Sequence, residues 1–151
     1  MAFGPVAPAV VIDTNAWLDL YLFHDAGAQA LAQALDCGAV RAVASAATQA
    51  ELHAVLLRPL LLARFAPDEV QAGLRAWSAI AQIVHDGGAA PWSCRDPDDQ
   101  KFLDLAYAQG ARWLFTKDRA LLALARKARR AGLYIAPPSD FANAAGTMGP
   151  Q

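Results

Sequence analysis

The feature that most constrains the fold of this chain is the alternation of short β-branched or aromatic runs with longer helix-forming segments. The runs at 10–12, 40–44, 112–116 and 133–136 are predicted strands, and 82–85 is a weaker candidate. Strands separated by helices connect by right-handed crossovers and build a parallel sheet that is covered on both faces. The sequence therefore predicts an α/β fold of three layers, with helices on each side of a central sheet.

The helical segments have recognisable ends. Ser45 is placed to cap a helix that Pro59 stops, Gly38 ends an earlier helix, and Pro67 lies in the first turn of another. The predicted helices cover 16–22, 28–35, 46–57, 67–80, 96–110 and 118–130.

Length and composition indicate one domain without a membrane segment. The 151 residues suit a single domain, predicted to cover 1–142, and the Gly-rich end at 143–151 is predicted to be disordered. No apolar run approaches the roughly 20 residues that a membrane-spanning helix needs. The sequence has no recognisable secretory leader and no paired cysteine spacing, since Cys37 and Cys94 are far apart. We therefore expect a soluble, cytoplasmic protein.

Two acidic residues follow predicted strands directly. Asp13 comes after the first apolar run, and Asp118 lies two residues past the core of the run at 112–116. In open parallel sheets, ligands bind beyond the carboxyl ends of the strands. Both side chains are therefore predicted to lie at the edge of the sheet where a ligand would bind.

Two further acids lie on predicted helices. Asp99 is followed at the third, fourth and seventh positions by apolar residues, so it shares their inward-facing stripe. Glu51 has alanine four positions before it and apolar residues three and four positions after it. We expect both carboxylates to face inward beside the strand-end acids.

Several inward-facing carboxylates need something to compensate them. Burial penalises the charged form, and neighbouring carboxylates raise one another's pKa values. A divalent cation offsets both costs, and an all-oxygen ligand set is typical of Mg²⁺ or Mn²⁺. The predicted metal ligands and catalytic residues are Asp13, Glu51, Asp99 and Asp118.

Most of these acids also have a structural alternative. Asp13 and Asp118 could cap the helices that follow them, and Thr48 with Glu51 matches a capping box. Four separate structural roles, all at one edge of the sheet, are a less likely explanation than one shared site. The shared site is therefore the favoured hypothesis.

The three acids around Pro97 are assigned different roles. Asp96 is a natural N-cap ahead of that proline, and we assign it to that structural role. Asp98 and Asp99 could complement the helix dipole. Asp98 lies at the edge of the buried stripe, and its role stays open.

Basic residues concentrate in one segment, although the net charge is −1. Seven of the 13 Lys and Arg residues lie between positions 112 and 130. A local basic face of this kind is compatible with phosphate binding, and a solvated helix face is the alternative. The candidates for contact with a nucleic-acid backbone are Lys117, Arg119, Arg126 and Lys127.

Four segments of the chain together resemble the PIN-domain nucleases. Residues 11–15, Val-Ile-Asp-Thr-Asn, are similar to the opening motif of that family, and the helix at 45–57 is similar to the second. Residues 96–103 resemble the third motif and 114–118 the fourth. The resemblance runs from about Val10 to Phe141 and is nearest to the bacterial toxin components of toxin–antitoxin pairs, including VapC-type toxins.

The resemblance implies a fold and an activity. It implies a Rossmann-like sheet of about five parallel strands, with the four acids above at the family's acidic positions. It implies a Mg²⁺- or Mn²⁺-dependent ribonuclease, the toxin of a type II toxin–antitoxin system, with RNA as its substrate. It also implies an antitoxin partner and a homodimer. Asn15, Thr116 and Asp98 would support the site, by orienting ligands or waters or by stabilising turns.

Other functions are less consistent with the residues. A haloacid dehalogenase-type phosphatase needs a second aspartate two positions after the first, where this chain has Asn15. A nucleotide-binding Rossmann domain needs a glycine-rich phosphate loop that the sequence lacks. A non-catalytic PIN-fold scaffold and a DNA nuclease of the same fold remain as alternatives.

Overall fold

Five short strands form one sheet in the computed structural model, which describes residues 6–85 and 87–142. All strand pairs are parallel, and the order across the sheet is β3-β2-β1-β4-β5. The predicted five-stranded parallel sheet is therefore confirmed. The strands are β1 Ala9–Ile12, β2 Arg41–Ala44, β3 Gln82–Ile83, β4 Trp113–Phe115 and β5 Tyr134–Ala136.

Eight helices connect the strands within the described residues, together with two 3₁₀ turns at Ala26–Ala28 and Pro97–Asp99. None of these helices is long and apolar enough to cross a membrane. The helices are α1 Thr14–Tyr21, α2 Gln29–Asp36, α3 Ala46–Leu56, α4 Pro59–Arg64, α5 Pro67–Ile80, α6 Gln100–Ala108, α7 Arg119–Leu122 and α8 Ala125–Arg129.

The sheet has a hydrophobic core on each face, because successive strand residues point to opposite sides. Val10 and Ile12 of β1 belong to one core, which is completed by residues of α1, α2, α3 and α5. Val11 belongs to the other core, with residues of α6, α7 and α8. The structure therefore has the predicted α/β/α layers.

Several predicted elements differ from the structure, and α4, which begins at Pro59, was not predicted. The helix expected at 118–130 is two helices, since Leu124 donates its N–H to the carbonyl of Leu121, a tight three-residue turn that separates α7 from α8. The third strand is shorter than predicted, because β3 pairs with β2 alone at the edge of the sheet. The predicted disordered tail, 143–151, lies outside the described residues.

The carboxyl edge of the sheet is set by its register. Ile12 at the end of β1 pairs with Phe115 at the end of β4, and the N–H of Asp13 donates to the carbonyl of Phe115 at 3.0 Å. The residues after both strands therefore lie side by side. This position was predicted for the strand-end acids.

Candidate functional site

Asp13 lies buried where β1 ends and α1 begins. Its Oδ1 accepts a hydrogen bond from the N–H of Ala16 at 2.9 Å, so it caps α1. Its Oδ2 accepts a hydrogen bond from the hydroxyl of Thr116, which follows β4. Burial, more than any charge, raises the pKa of Asp13 to about 6, and the carboxylates of Asp118 and Glu51 add to the effect. Asp13 therefore caps α1, as the structural alternative predicted, and its charged form is also disfavoured by burial.

Thr116 connects Asp13 to the next acid. It is completely buried, and its Oγ1 accepts the N–H of Asp118 at 2.9 Å while donating to Asp13. Asp118 Oδ1 in turn accepts from the N–H of Ala120 at 2.8 Å and caps α7. Thr116 therefore has both of the roles considered for it. It stabilises the turn through the N–H of Asp118, and it contacts an acid of the site, Asp13.

Three carboxylates approach one another at this edge. Asp96, Asp99 and Asp118 each offer an oxygen, and these oxygens lie within 4.8 Å of one another. Two of them, Asp99 and Asp118, were predicted as ligands. The strand-end position of Asp118 and the first-turn position of Asp99 therefore do bring these side chains together.

Asp99 has the most costly surroundings. Its Oδ2 is buried and has no hydrogen-bond partner among the residues that the structure describes. Burial is the main cause that raises the pKa of Asp99 to about 7, followed by a side-chain hydrogen bond with Asp118 and the charge of that carboxylate, with smaller contributions from Asp96 and Asp13. A carboxyl group of this kind repels its neighbours when it ionises, and a bound cation would remove that repulsion.

Asp96 was assigned mainly to a capping role, and this assignment was incomplete. Its Oδ1 does accept from the N–H of Asp98 at 3.0 Å, as an N-cap would. It also belongs to the three-carboxylate group with Asp99 and Asp118. A two-oxygen side chain can cap with one atom and face a site with the other, and the same is true of Asp13. The sequence signal was available, since Asp96 precedes Asp99 by one turn.

Glu51 has protein partners instead. Its Oε2 accepts a hydrogen bond from Thr14 at 2.5 Å, and its Oε1 forms a salt bridge with Lys101 at 2.8 Å. It is near enough to Asp13 to raise the pKa of that carboxyl. Glu51 is therefore beside the site but outside the three-carboxylate group, and its predicted role as a ligand stays a prediction.

The inward face of α3 was predicted one position out of register. Ala47 and Ala54, which were expected to face inward with Glu51, are exposed. The buried residues of α3 are Thr48, Leu52, Val55 and Leu56, so Glu51 lies at the edge of that stripe. The capping box is formed by Ser45 and Thr48, and Glu51 takes no part in it. The prediction counted these alanines as inward-facing residues. Alanine is also common on exposed helix faces, so it does not mark the buried side.

The other predicted supporting residues are exposed. Asn15 lies in the first turn of α1 and lines a cleft of about 890 Å³ beside the acids. Asp98 is exposed and stands outside the three-carboxylate group. Its backbone, which donates to Asp96, contributes to the local turn.

Basic and acidic side chains line the same cleft. Lys117 lies in it and forms a salt bridge with buried Asp19 at 2.5 Å, a contact that raises the pKa of the lysine. Arg95 and Arg119 also line the cleft. Arg126 and Lys127 are exposed on α8 and are not among the described lining residues.

The donors fit a hard divalent cation. Three carboxylates converge, one of them has a buried oxygen without a described partner, and a fourth, Asp13, adjoins them through Thr116. Carboxylate oxygens are the ligands that Mg²⁺ and Mn²⁺ prefer. The residues that could hold the ion are Asp96, Asp99 and Asp118, with Asp13 beside them.

Comparison with known proteins agrees with this geometry. The family model for the PIN domain matches residues 9–120, from β1 to the first turn of α7. None of the curated proteins matches the chain. PIN domains are generally metal-dependent nucleases, and the cluster of carboxylates is the kind of site that such an activity needs. A chain matched over most of its length, with an acidic group at the carboxyl edge of a parallel sheet, belongs to the PIN domain family.

Proposed function

We propose that the protein is a Mg²⁺- or Mn²⁺-dependent ribonuclease that hydrolyses phosphodiester bonds in RNA. One observation carries the proposal: the buried, unpartnered Oδ2 of Asp99, seen among the described residues, lies in a group of three carboxylates. A divalent cation would neutralise this group. The cleft beside it holds Arg95, Lys117 and Arg119, which offer contacts for a phosphate backbone.

Each residue near the site has a defined task in this proposal. The metal would lower the pKa of a bound water and stabilise charge on the phosphate. Asp96, Asp99 and Asp118 would hold the ion, with Asp13 beside them, and the hydroxyl of Thr116 keeps the carboxylate of Asp13 oriented. Glu51 acts from a greater distance, through Lys101 and Thr14 or through water.

Cleavage assays with matched variants test the activity. Wild-type protein should cleave RNA with Mg²⁺ and stop when EDTA is added, and Asp99→Asn should lose nearly all of this cleavage while its Tm in EDTA is no lower than that of wild type. Asp68→Asn makes the same change on exposed Asp68 in the first turn of α5 and should retain full activity. Equal cleavage by wild type and Asp99→Asn would refute the metal site. Loss of cleavage in Asp68→Asn but not in Asp99→Asn would refute the assignment of Asp99 to that site.

The biological role that we propose is that of a cytoplasmic toxin in a type II toxin–antitoxin pair, of the VapC-like subgroup, acting as a homodimer. The support is the resemblance together with an apolar surface: Leu57 and Leu60 are 71% and 86% exposed, and a large exposed apolar patch commonly binds protein. The expected genetic context is a short adjacent reading frame with a DNA-binding domain. Its product should co-purify with this protein and inhibit cleavage, whereas independent purification and full activity in its presence would reject the toxin role.

Two alternatives use the same geometry. A DNA nuclease is possible because carboxylates and a metal act on the phosphate and do not contact the sugar 2′-hydroxyl. Cleavage of RNA and DNA strands of one sequence under identical conditions separates the two activities. A non-catalytic scaffold would cleave neither strand and would still bind its partner, so the same assay excludes or supports it.

A further inference from the structure

The segment 87–96 carries two residues of the cleft, Arg95 and Asp96, although it belongs to no helix or strand. It follows β3 and leads into the turn before α6. Because it pairs with none of the described strands, its backbone needs other hydrogen-bond partners. Those partners also fix the place of Asp96, whose carboxylate approaches Asp99 and Asp118.

Two side chains of α6, Gln100 and Asp104, hold this segment through its backbone. Gln100 Oε1 accepts from the N–H of Cys94 at 2.6 Å, and Gln100 Nε2 donates to the carbonyl of Trp92 at 3.0 Å. Asp104 Oδ1 accepts from the N–H of Ala90 at 2.9 Å and from Gln100 Nε2, also at 2.9 Å. The two side chains are four positions apart, so they share one face of α6. They supply the partners that a neighbouring strand would give to alternate residues.

The amide of Gln100 is suited to these contacts. Both hydrogens of Nε2 have acceptors, one carbonyl and one carboxylate, while Oε1 faces an N–H donor. A rotated amide would place oxygen against the two acceptors and nitrogen against the donor. A glutamate would bring a second carboxylate against Asp104, and a methionine would form none of the three bonds. The network therefore requires a glutamine in one orientation.

Burial along 90–96 shows what this network controls. Even-numbered residues face the protein and odd-numbered residues face solvent. The wholly or partly buried residues are Ala90, Trp92, Cys94 and Asp96, and the exposed ones are Pro91, Ser93 and Arg95. As in a strand, a slip by one residue would turn Asp96 outwards and point Arg95 towards the other carboxylates. A guanidinium there would neutralise those carboxylates in place of a divalent cation.

We propose that Gln100, together with Asp104, is a positioning residue of the metal site and sets the register that lets Asp96 face the ion. Gln100 contacts neither the ion nor the phosphate in this proposal. It acts through the backbone of Cys94, two residues before Asp96. The inference rests on the metal site of the proposed function and needs no assumption about the substrate.

Calorimetric titration with Mn²⁺ in a double-mutant cycle tests this role. Gln100→Met keeps the length of the side chain and removes its three hydrogen bonds, so it should weaken Mn²⁺ binding roughly ten-fold. In an Asp96→Asn background, the same substitution should weaken binding by less than about two-fold, because the carboxylate through which Gln100 acts is already gone.

A matched control and the size of the two losses decide the outcome. Gln33→Met makes the same change on exposed Gln33 of α2, which packs on the other face of the sheet, and should bind Mn²⁺ like wild type. An unchanged affinity in Gln100→Met would overturn the proposal. An equal loss in both backgrounds would also overturn it, since a general loosening of the fold does not depend on Asp96.

Hydrogen exchange on the unmutated protein gives a second readout, which does not depend on how well a variant folds. In EDTA, the N–H groups of Ala90 and Cys94 should already be protected, because Asp104 and Gln100 hold them before any metal binds. If these two groups become protected only when Mn²⁺ is added, the ion orders the segment and the proposal is overturned.

Metal binding and RNA cleavage together separate this inference from the proposed function. A protein that shows the expected cycle in Mn²⁺ affinity but cleaves no RNA would support the positioning role of Gln100 and refute the ribonuclease. A protein that cleaves RNA with Mn²⁺, and whose affinity for the ion Gln100→Met leaves unchanged, would support the ribonuclease and refute the positioning role.

Discussion

Glu51 and Asp99 were predicted from sequence to serve one metal site, and the structure surrounds them differently. Both oxygens of Glu51 have partners, Thr14 at 2.5 Å and Lys101 at 2.8 Å. Asp99 has a buried oxygen with no partner in the described part of the chain, and its pKa is raised to about 7. The protein itself supplies partners for the carboxylate of Glu51, whereas a bound cation could serve as the partner of Asp99 Oδ2.

In the proposed metal site, this difference separates acids that support the site from acids that would bind the ion. A carboxylate with a lysine and a hydroxyl as partners is stable whether or not a metal is present. A carboxylate crowded by Asp118 and Asp96 is destabilised until a cation arrives. Relief of this repulsion would favour binding of a cation at Asp99.

The largest expected effect is on metal binding and cleavage by Asp99→Asn. If Asp99 is a metal ligand, removing its charge should lower the rate of cleavage by on the order of a hundred- to a thousand-fold. Mg²⁺ affinity, measured by calorimetry, should fall together with activity, because both depend on the same oxygen. If the variant loses activity but binds Mg²⁺ as tightly as wild type does, Asp99 is not a ligand.

The second prediction concerns stability without metal, through buried Asp13. Its pKa is 3.8 when unfolded and about 6 when folded, so the folded protein holds this proton more tightly. The associated stability is therefore fully present below pH 4 and is lost as the pH rises through about 6. From pH 4 to 7 this group should cost the metal-free protein ~2 kcal/mol of unfolding free energy.

Urea denaturation in EDTA at a series of pH values measures that loss. Asp13→Asn cannot ionise, so its stability should fall less between pH 4 and 7 than that of wild type. Saturating Mg²⁺ should flatten the wild-type curve in the same range, because bound metal favours the charged carboxylate. Identical pH dependence in wild type and Asp13→Asn would show that the burial of Asp13 is not costly.

Sequence reasoning succeeded where one local rule decided the structure. The apolar run before Asp13 and the run before Asp118 could form only buried strands, and parallel topology then placed their ends together. The core contacts of Phe102, Leu103 and Ala106 follow from helical spacing alone. The sheet and the strand-end half of the site were therefore predictable.

Sequence reasoning was less successful where side chains have two roles. Asp96 was predicted as a cap and excluded from the site, although one oxygen can cap while the other faces Asp99. The partners of Glu51 were not foreseen, because Lys101 is distant in sequence and only the packing of α3 near α6 brings the two together. Such pairings depend on tertiary distances, which one sequence does not contain.

The third prediction concerns Glu51, the carboxylate whose two oxygens have protein partners. Glu51→Gln keeps the shape of the side chain and the possible hydrogen bond from Thr14, but it removes the charge that holds Lys101. If Glu51 acts through these neighbours, cleavage should fall only about ten-fold, and Mg²⁺ affinity should change little. Lys101→Met should have a similar effect, and the double variant should be no worse than either single one. A loss as large as that of Asp99→Asn would make Glu51 a direct ligand.

The smallest effect is expected among the basic residues, where position in the fold again separates similar side chains. Arg119 lines the cleft, whereas Arg126 lies on α8 and is not among the described lining residues. Arg119→Ala should weaken RNA binding roughly five-fold and lower the slope of log affinity against log salt by about 1. Arg126→Ala, alone or with Lys127→Ala, should leave that slope unchanged if the phosphates bind only in the cleft. Equal slopes for Arg119→Ala and wild type, with a lower slope for Arg126→Ala, would mean that the strand leaves the cleft along α8.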